Sequence, residues 1–273
     1  MADPVDIVFD IGGTNMRIAA SAHGKLEDVL KVPTPSDPKD ALTQFAKMAH
    51  EAAAGRTIQA VAGGIRWIIA DGVFLPGDNM LSKWGGVRLA DEISKELGAP
   101  AQIVHDTAAV GLGEVHAGAG RGSKICAYIT VSTGVGGDRI VDGKIDTSTY
   151  NPEIGYQLIN GEPLGSLVSG TAVKEKFGIE PKDLKSLEER NKLADILAIG
   201  LYNTTLHWSP DTIVLGGSMI VGVNPIPIEH VTESLAKRLT MYPKSPAVKM
   251  AQLGDIGGLV GAAILAQKML STE

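Results

Sequence analysis

Glycine-rich turns that directly follow apolar strands supply the first chemical signal in this sequence. Gly12 and Gly13, followed by Thr14, come after the apolar run Val5–Asp10. Without side chains, glycines let backbone N–H groups approach a phosphate, and the Thr14 hydroxyl adds another donor. The turn is neither a Walker motif nor a GxGxxG dinucleotide fingerprint, because neither a Lys-Ser or Lys-Thr pair nor a helix follows it. It predicts phosphate binding, and a tight hairpin that needs positive φ is the alternative.

Two further glycine turns follow apolar strands in the second half of the chain. Residues 132–137 follow the strand predicted over 124–131, just as the first turn follows its own strand, so one polyphosphate could bridge both turns across a cleft. Gly216 and Gly217 follow the apolar run Ile213–Leu215, where bare backbone could accept a flat adenine or ribose. An ordinary strand-to-helix connection is the alternative interpretation of this last pair.

A carboxylate at a strand-to-helix junction is the candidate base. Asp106 lies in the segment IVHDTAAVGLGE, between a predicted strand and a predicted helix. Aspartate is favoured as a helix N-cap, so a purely structural role is the alternative. Ligands of open α/β sheets bind at the carboxyl ends of strands, where Asp106 would face the cleft. The two roles are compatible, since one carboxylate oxygen can cap the helix while the other faces a substrate.

The elements that must position these residues form two similar halves. Each half opens with a strand, a glycine turn and a second strand, and this repetition predicts a duplicated α/β fold with a cleft between the halves. Periodicity and turn residues predict, in the first half, strands over 5–10, 16–21, 29–32, 58–65 and 101–104 and helices over 38–53, 89–97 and 106–116. In the second half they predict strands over 124–131, 139–141 and 212–215 and helices over 163–177, 184–207 and 256–270.

Composition and charge exclude several classes of protein. The 273 residues include 25 Lys and Arg against 31 Asp and Glu, a net charge of −6, which argues against electrostatic binding of nucleic acid or anionic lipid. The one cysteine, Cys126, excludes an internal disulfide and any thiolate-rich zinc site, so a reducing compartment is expected. The amino terminus lacks the features of a targeting peptide, and no window approaches the ~18 apolar residues of a membrane span. We expect a soluble, cytoplasmic protein without nucleic-acid or membrane partners.

In their order along the chain, these motifs resemble those of the bacterial ROK sugar kinases, which belong to the actin, hexokinase and Hsp70 superfamily. The resemblance rests on DIGGTNMR, WGGVRLADEISKELGAP, HDTAAVGLGE, STGVGGD, PEIGY, IVLGGSM and GDIGGLVGAA, which span nearly the whole chain. It implies a two-lobed actin-like ATPase fold, a duplicated ribonuclease H-like α/β fold with an interlobe cleft. The small lobe would comprise residues 1–105 and the terminal helix 257–273, and the large lobe residues 106–256. ATP and Mg²⁺ as cofactors and a homodimer are also implied.

The resemblance further implies roles for individual residues. Asp106 falls on the catalytic base, in a motif usually written NDAN, with His105 in place of the first Asn. Asp10 matches the aspartate that approaches Mg²⁺ through water. The implied sugar ligands are Asn79, His105, Glu153 and Tyr156. The implied ATP-binding residues are Asp10, Gly12, Gly13, Thr14 and Asn15 in the first phosphate loop, Thr133, Gly134 and Gly136 in the second, and Gly216 and Gly217 in the adenosine loop.

Three sugar-side positions depart from the family pattern. Most ROK proteins carry a zinc site made from a His and three Cys, but Tyr156 stands at the His position and residues 157–168 contain no cysteine, so no zinc is expected. Tyr156 either replaces the sugar contact of that His or fills space. Gly165 aligns with a family glutamate, for which Glu162 lies close enough to substitute. With His105, these changes fall on the sugar side, whereas the nucleotide side keeps the family pattern.

The function implied by the resemblance is an ATP-dependent kinase that phosphorylates a hexose, with glucose at its 6-hydroxyl as the first candidate. An N-acetylhexosamine such as N-acetylmannosamine is the alternative acceptor. A sugar- or nucleotide-binding protein with low turnover is the alternative from another class, suggested by Tyr156, Gly165 and His105. A transcriptional repressor is not expected, because it would need a helix-turn-helix domain ahead of the first phosphate loop and six residues precede Ile7.

Overall fold

The computed structural model describes residues 3–66, 69–70, 72–75 and 82–271. In chain order, the first elements are β1 (Val5–Ile11), β2 (Asn15–Ala22), β3 (Lys25–Leu26), β4 (Leu30–Pro33), α1 (Pro38–Ala53), β5 (Ile58–Ile65), β6 (Ile69–Ala70), β7 (Val73–Phe74), α2 (Leu89–Leu97), β8 (Ala101–His105) and α3 (Asp106–Ala117). They are followed by β9 (Ile125–Val131), β10 (Val135–Val141), β11 (Lys144–Ile145), β12 (Leu158–Ile159), β13 (Glu162–Pro163), α4 (Leu164–Val168), α5 (Gly170–Phe177), α6 (Leu187–Trp208), β14 (Thr212–Gly216), α7 (Ser218–Val221), α8 (Ile228–Arg238), β15 (Ala247–Met250) and α9 (Gly257–Leu270).

The chain forms two compact units. Unit 1 comprises residues 1–113, 148–151 and 255–273, and unit 2 comprises residues 114–147 and 152–254. The units have nearly equal lengths, and the chain first leaves unit 1 inside α3, after Gly113. The sequence-based division places this crossing before α3. The difference arises because the first half of α3 packs on β5, where a Cβ added to Gly64 would lie 2.9 Å from the Cα of Asp106.

Each unit is built on one main sheet, and the two sheets share a topology. The strand order is β3-β2-β1-β5-β8 in unit 1, with β4 also paired to β2, and β11-β10-β9-β14-β15 in unit 2. In each sheet the opening strand, β1 or β9, is antiparallel to the strand after its glycine turn. On its other side the opening strand is parallel to β5 or β14, which is in turn parallel to the last strand. The duplicated α/β architecture expected from the sequence is confirmed.

The two equivalent glycine turns are the β1–β2 and β9–β10 connections. The first leaves Gly12–Thr14 between strands that pair at Ile11 and Met16. The second is shorter than expected, because β9 and β10 pair as far as Val131 and Val135. Gly136 therefore lies in strand β10, opposite Thr130, and not in the turn where the sequence analysis placed it. Pairing between strands is not visible in a local apolar pattern, which explains the difference.

Helix boundaries follow their capping residues. The side chain of Asp37 accepts a hydrogen bond from the backbone N–H of Lys39 at 2.9 Å, and Pro38 occupies the first turn of α1, as predicted. Helix α2 ends at Gly98, whose φ of 66° places it in the left-handed region. The single helix expected over residues 163–177 is divided into α4 and α5 at Ser169, because its hydroxyl accepts the N–H of Ala172 and so begins a new helix.

The core of unit 1 lies between its sheet and α1. Alternate residues of β1, from Val5 to Ile11, are buried on this side, and the ring of Phe9 meets that of Phe45 edge to face at a centroid distance of 5.1 Å. On the opposite face Val8 packs against Leu259 of α9. A second core in unit 2 joins β9 and β14 to α6 and α8. Within the described residues, the helices are too short or too polar to span a membrane.

Strand β1 also buries carboxylates on its α9 face. Asp6 is 2% exposed, and its Oδ1 atom has no hydrogen-bond partner among the described residues. Burial raises the pKa of Asp6 above its ordinary value, and a hydrogen bond with Gln59 partly opposes the rise. A carboxyl group with a folded-state pKa above its unfolded one costs stability when it is ionised, and this cost disappears as the pH falls and the group is protonated.

We therefore predict that Asp6→Asn increases the free energy of unfolding at pH 7–8. The gain should shrink as the pH is lowered toward about 4, near the ordinary pKa of an aspartate, because the wild-type carboxyl then becomes neutral as well. Urea unfolding followed by circular dichroism at several pH values measures this difference. Asp28→Asn, an exposed loop position, is the matched control. A lower stability of Asp6→Asn at pH 8, or a gain that does not vary with pH, would contradict the prediction.

Candidate active site

Unit 1 brings Asp10 and Asp106 to the same edge of its sheet. Strands β1, β5 and β8 are parallel, so their carboxyl ends meet at one edge, the usual position of ligand sites in α/β folds. Asp10 is opposite Gly64 in the β1–β5 ladder, and Asp106 directly follows β8. The missing side chain of Gly64 leaves room for the backbone of Asp106. The two carboxylates predicted for metal approach and for base catalysis are therefore neighbours.

Asp10 is a half-buried carboxylate with one cationic partner. Its Oδ2 atom accepts a hydrogen bond from Nη1 of Arg17 at 3.0 Å, and Nη2 of Arg17 lies 3.8 Å from Oδ2 of Asp255. Burial raises the pKa of Asp10 to about 6, the negative charge of Asp106 adds to the rise, and Arg17 opposes it. The small residue Gly258 of α9 lies against Asp10, where an added Cβ would be 3.4 Å from the carboxylate carbon. The site thus holds more negative than positive charge.

Asp106 is oriented by its two neighbours in the chain. It opens α3, and its Oδ1 atom accepts the backbone N–H of Thr107 at 2.8 Å. This bond to the next residue differs from the usual N-cap bond, which comes from a residue two or three positions later. Nε2 of His105 lies 3.3 Å from the same oxygen, and Nδ1 of His105 is 2.8 Å from Oγ1 of Thr107. The imidazole, with its side chain 8% exposed, therefore bridges Thr107 and Asp106.

The glycines of the first turn do not have the positive φ that a tight hairpin, the alternative interpretation, would require. Gly12 and Gly13 are not among the described glycines with positive φ, so a tight hairpin that needs positive φ does not account for them. The N–H of Gly12 donates to the carbonyl of Asn15 at 2.9 Å and closes the turn. Thr14 lies between them, and Asn15 begins β2. The glycines thus have the arrangement in which bare backbone can approach a ligand.

The second and third glycine turns lie together in unit 2. The N–H of Ser132 donates to the carbonyl of Gly134 at 2.8 Å, and the hydroxyls of Ser132 and Ser218 are 3.1 Å apart. Gly217 has a φ of 88°, and a Cβ on Gly216 would lie 2.6 Å from the phenol oxygen of Tyr128. Packing and backbone conformation therefore explain why these two positions are glycine. The absence of side chains at Gly216 and Gly217 also leaves room for the hydroxyl of Ser218 to contact that of Ser132 in the second turn.

A cavity of about 470 Å³ lies in unit 2 beside these turns. Its wall combines hydroxyl groups, the N-terminus of α5, the two cations Lys174 and Lys182, and the exposed apolar side chain of Val223. Lys174 forms an ion pair with Glu180 at 2.7 Å. Polar groups on a partly apolar wall suit a ligand that has both an anionic part and a flat apolar part. The lining residues are Thr133, Gly170, Thr171, Lys174, Glu180, Pro181, Lys182, Ser218, Gly222 and Val223.

The structure describes only some of the residues predicted to bind the sugar. Asn79 lies outside the described residues. Glu153, half-buried, precedes the 3-10 helix Ile154–Tyr156, and the Tyr156 side chain is exposed, with 73% of the residue accessible to solvent. The interpretation of Tyr156 as a space-filling residue is therefore wrong. Gly165 lies in α4, and Glu162 is exposed on β13.

Helix α3 carries a buried carboxylate that was not identified from the sequence. Glu114 of α3 is fully buried, and it accepts the backbone N–H groups of Ala119 at 2.7 Å and of Gln252 and Leu253 at 2.8 Å each. The chain after it is glycine-rich because a Cβ on Gly118 would collide with the Glu114 carboxylate. A glutamate inside an Ala- and Gly-rich helix, followed by alternating glycines, is the only local signal for this role.

Comparison with known proteins assigns a family. Residues 7–269 match the model of the ROK family. The fructokinase of Zymomonas mobilis is 28% identical over 67% of this chain and 67% of its own length. The ROK hexokinase of Thermus thermophilus superposes with a TM-score of 0.84, at 24% identity, over 98% of this chain and 100% of that chain. A ROK family glucokinase from Streptomyces griseus, crystallised with glucose and AMPPNP, gives 0.79 at 22% identity over 97% and 99%. The resemblance and the actin-like α/β fold expected from the motifs are confirmed.

We predict that Glu114→Gln lowers the free energy of unfolding by about 2–4 kcal/mol. Glutamine keeps the size of the side chain but turns an N–H₂ group toward backbone donors, which leaves buried N–H groups without an acceptor. Urea unfolding at pH 7 measures the loss. Glu92→Gln, an exposed position of α2, is the matched control and should stay within about 0.5 kcal/mol of wild type. Equal stabilities of the two variants would show that the Glu114 carboxylate does not hold these three N–H groups.

Proposed function

The chain belongs to the ROK family, and from this premise we propose that it is an ATP-dependent sugar kinase that transfers the γ-phosphoryl group of ATP to a hexose hydroxyl. The observation that carries the proposal is the convergence of Asp10 and Asp106 at one sheet edge of unit 1. Phosphoryl transfer needs little covalent chemistry from a protein. It needs an acceptor oxygen held in line, a nearby base, and groups that take up phosphate charge.

Asp106 is proposed as the base that accepts the proton of the attacking sugar hydroxyl. A base must have a fixed position relative to the hydroxyl, because positioning supplies most of the acceleration in phosphoryl transfer. The N–H of Thr107 and the ring of His105 both approach Oδ1, which fixes the rotation of the carboxylate. We therefore assign His105 the role of orienting Asp106. This role takes the place of the sugar contact that the sequence predicts for His105, because the ring of His105 is nearly buried and both of its nitrogens are engaged.

The glycine turns are proposed to bind the phosphates, and the unit 2 cavity the nucleoside. Backbone N–H groups of Gly13 and Thr14 in unit 1 and of Thr133 and Gly134 in unit 2 are the candidate hydrogen-bond donors to the phosphates, whereas the N–H of Gly12 is used inside its turn. The cavity adds hydroxyls, two lysines and an apolar side chain, and its volume is within the range of ligand sites. The proposed donor is ATP, in keeping with the AMPPNP found in the S. griseus glucokinase.

Mg²⁺ fits the donor set at Asp10. Mg²⁺ prefers oxygen ligands and is usually held by one or two carboxylates together with substrate phosphates and water. Asp10 and Asp106 supply such carboxylates in a place where negative charge exceeds positive charge. Among the described residues, no group of three or more His, Cys, Asp or Glu could hold a metal without the substrate. When bound, Mg²⁺ would neutralise charge on the phosphates, and Asp10 is the residue proposed to hold it, through water.

The proposed acceptor is glucose at its 6-hydroxyl, with an N-acetylhexosamine such as N-acetylmannosamine as the second candidate. The glucose bound to the S. griseus glucokinase supports the first. The second is favoured by the exposed phenol of Tyr156 at the position where most ROK proteins carry a zinc-binding His. Exchange of one hydrogen-bonding group in a polar pocket can change substrate selection by orders of magnitude.

We predict that Asp106→Asn lowers sugar-dependent ADP release by roughly 10²- to 10⁴-fold, the usual contribution of a general base, with little change in ATP affinity. The assay measures ADP release with Mg·ATP over a panel of glucose, mannose, fructose, N-acetylglucosamine and N-acetylmannosamine. ATP affinity is measured separately by isothermal titration calorimetry. Asp91→Asn, on the exposed side of α2, is the matched control and should keep wild-type turnover.

Three outcomes separate the candidate functions. Turnover on one sugar that collapses in Asp106→Asn supports the kinase and identifies its substrate. Turnover that persists in this variant refutes the role of Asp106 as base. If no sugar raises ADP release while wild-type protein binds ATP, the alternative of a sugar- or nucleotide-binding protein with low turnover replaces the kinase.

A further inference from the structure

Each of the first two glycine turns, β1–β2 and β9–β10, is held by a threonine from elsewhere in its unit. The threonine donates hydrogen bonds to backbone carbonyls of the turn. In unit 1 this residue is Thr34, which follows strand β4. Its N–H donates to the carbonyl of Thr14 at 3.0 Å, and its hydroxyl donates to the carbonyl of Gly12 at 2.7 Å. The turn is thus tied at both ends to a residue 22 positions away from Gly12.

Unit 2 makes the same kind of contact with Thr171, the second residue of α5. Its hydroxyl donates to the carbonyl of Thr133 at 2.8 Å, and its N–H lies 3.4 Å from the same oxygen. The N–H of the preceding Gly170 donates to the carbonyl of Ser132 at 2.7 Å. Two consecutive carbonyls of the second turn are therefore held by the start of α5.

These bonds fix the direction of the N–H groups that the turns present. A trans peptide is planar, so its carbonyl and its N–H point in opposite directions. When the Gly12 carbonyl points to Thr34, the N–H of Gly13 must point away from Thr34. In the same way, the bond from Thr171 to the Thr133 carbonyl directs the N–H of Gly134 to the opposite side. Gly13 and Gly134 are both among the predicted phosphate-binding residues.

The two threonines come from unlike elements. Thr34 follows β4, a strand paired to β2, whereas Thr171 begins a helix. The main strands of the two units, by contrast, are equivalent in order and direction. The same contact built from a strand end in one unit and a helix start in the other points to a common requirement of the turns themselves.

We propose that Thr34 and Thr171 are positioning residues for the phosphoryl donor, which fix the N–H groups of Gly13 and Gly134 in the direction that binds its phosphates. The proposal rests on the proposed function for the identity of the donor. It assigns no contact between the Thr34 hydroxyl and the donor itself. It predicts an effect on phosphate binding that a general loss of stability would not produce.

The test replaces each threonine by valine, which keeps the shape of the side chain and removes the hydroxyl. Thr34→Val and Thr171→Val should each weaken ATP binding and raise KM for Mg·ATP roughly 3- to 10-fold, the effect of one hydrogen bond. The KM for the sugar should not change. For Thr34→Val, which lies outside the proposed nucleoside cavity, the dissociation constant for adenosine, which has no phosphate, should also stay at its wild-type value, as measured by isothermal titration calorimetry.

Two controls separate positioning from a general structural role. Thr34→Ser and Thr171→Ser retain the hydroxyl and should restore ATP affinity to within about 2-fold of wild type. Thr232→Val removes a hydroxyl that donates to the carbonyl of Ile228 at 2.8 Å inside α8, the same kind of bond far along the chain from the turns. It should leave both ATP affinity and adenosine affinity unchanged. Thermal unfolding of every variant verifies that each is folded at the assay temperature.

The outcomes distinguish this inference from the proposed function. If the valine variants bind ATP as wild type does, or if Thr34→Val loses adenosine and ATP affinity equally, the inference is refuted, whether or not the protein is a kinase. If wild type binds ATP but phosphorylates no sugar, the kinase proposal fails, and a selective loss of ATP affinity in the valine variants still supports the positioning role. If wild type does not bind ATP, both fail.

Discussion

The close approach of α3 to strand β5 is the constraint on which the candidate active site depends. Gly64 allows it, since a Cβ there would lie 2.9 Å from the Cα of Asp106 and 3.1 Å from the Cβ of Ala109. On the other side of α3, the backbone of Ala109 lies directly against Gly261 of α9, where no side chain would fit. Helix α3 is therefore held between a strand and a helix at glycine positions. The backbone of Asp106 is fixed by this packing, as a positioned base requires.

The candidate sites of the two units differ in charge. In unit 1, Asp10 and Asp106 are near neighbours with Arg17 as the counter-charge to Asp10, so a polyphosphate would be repelled unless a cation accompanied it. In unit 2, the cavity presents Lys174, Lys182 and the start of α5. The net charge of −6 is therefore compatible with binding of a triphosphate. Whether a triphosphate can bind depends on the charged groups near it and not on the net charge of the protein.

The sequence predicted those features whose signals are local. Strand β5 and helices α1 and α2 have the predicted bounds, because the apolar run of β5 lies inside its strand and the caps Asp37 and Gly98 lie directly beside the helices that they bound. Features that depend on distant partners could not be predicted. Gly136 lies in a strand because of its pairing with β9, and no local pattern shows that the Tyr156 side chain is exposed. The role of Glu114 depends on N–H groups 138 and 139 positions later.

Glu114 is the buried carboxylate at the point where helix α3 passes from unit 1 to unit 2. Helix α3 begins with Asp106 in unit 1 and contains Glu114 at the start of unit 2, eight residues and about 12 Å farther along the helix. The backbone N–H groups that donate to Glu114 include those of Gln252 and Leu253, which immediately precede the return of the chain to unit 1 after Gly254. One carboxylate thus joins the segment where unit 2 begins to the segment where it ends. Because Glu114 is fully buried and accepts three backbone N–H groups, its loss would leave buried donors without an acceptor at both of these segments. A carboxylate that is not among the proposed substrate ligands therefore helps to hold unit 2 together where its chain begins and ends.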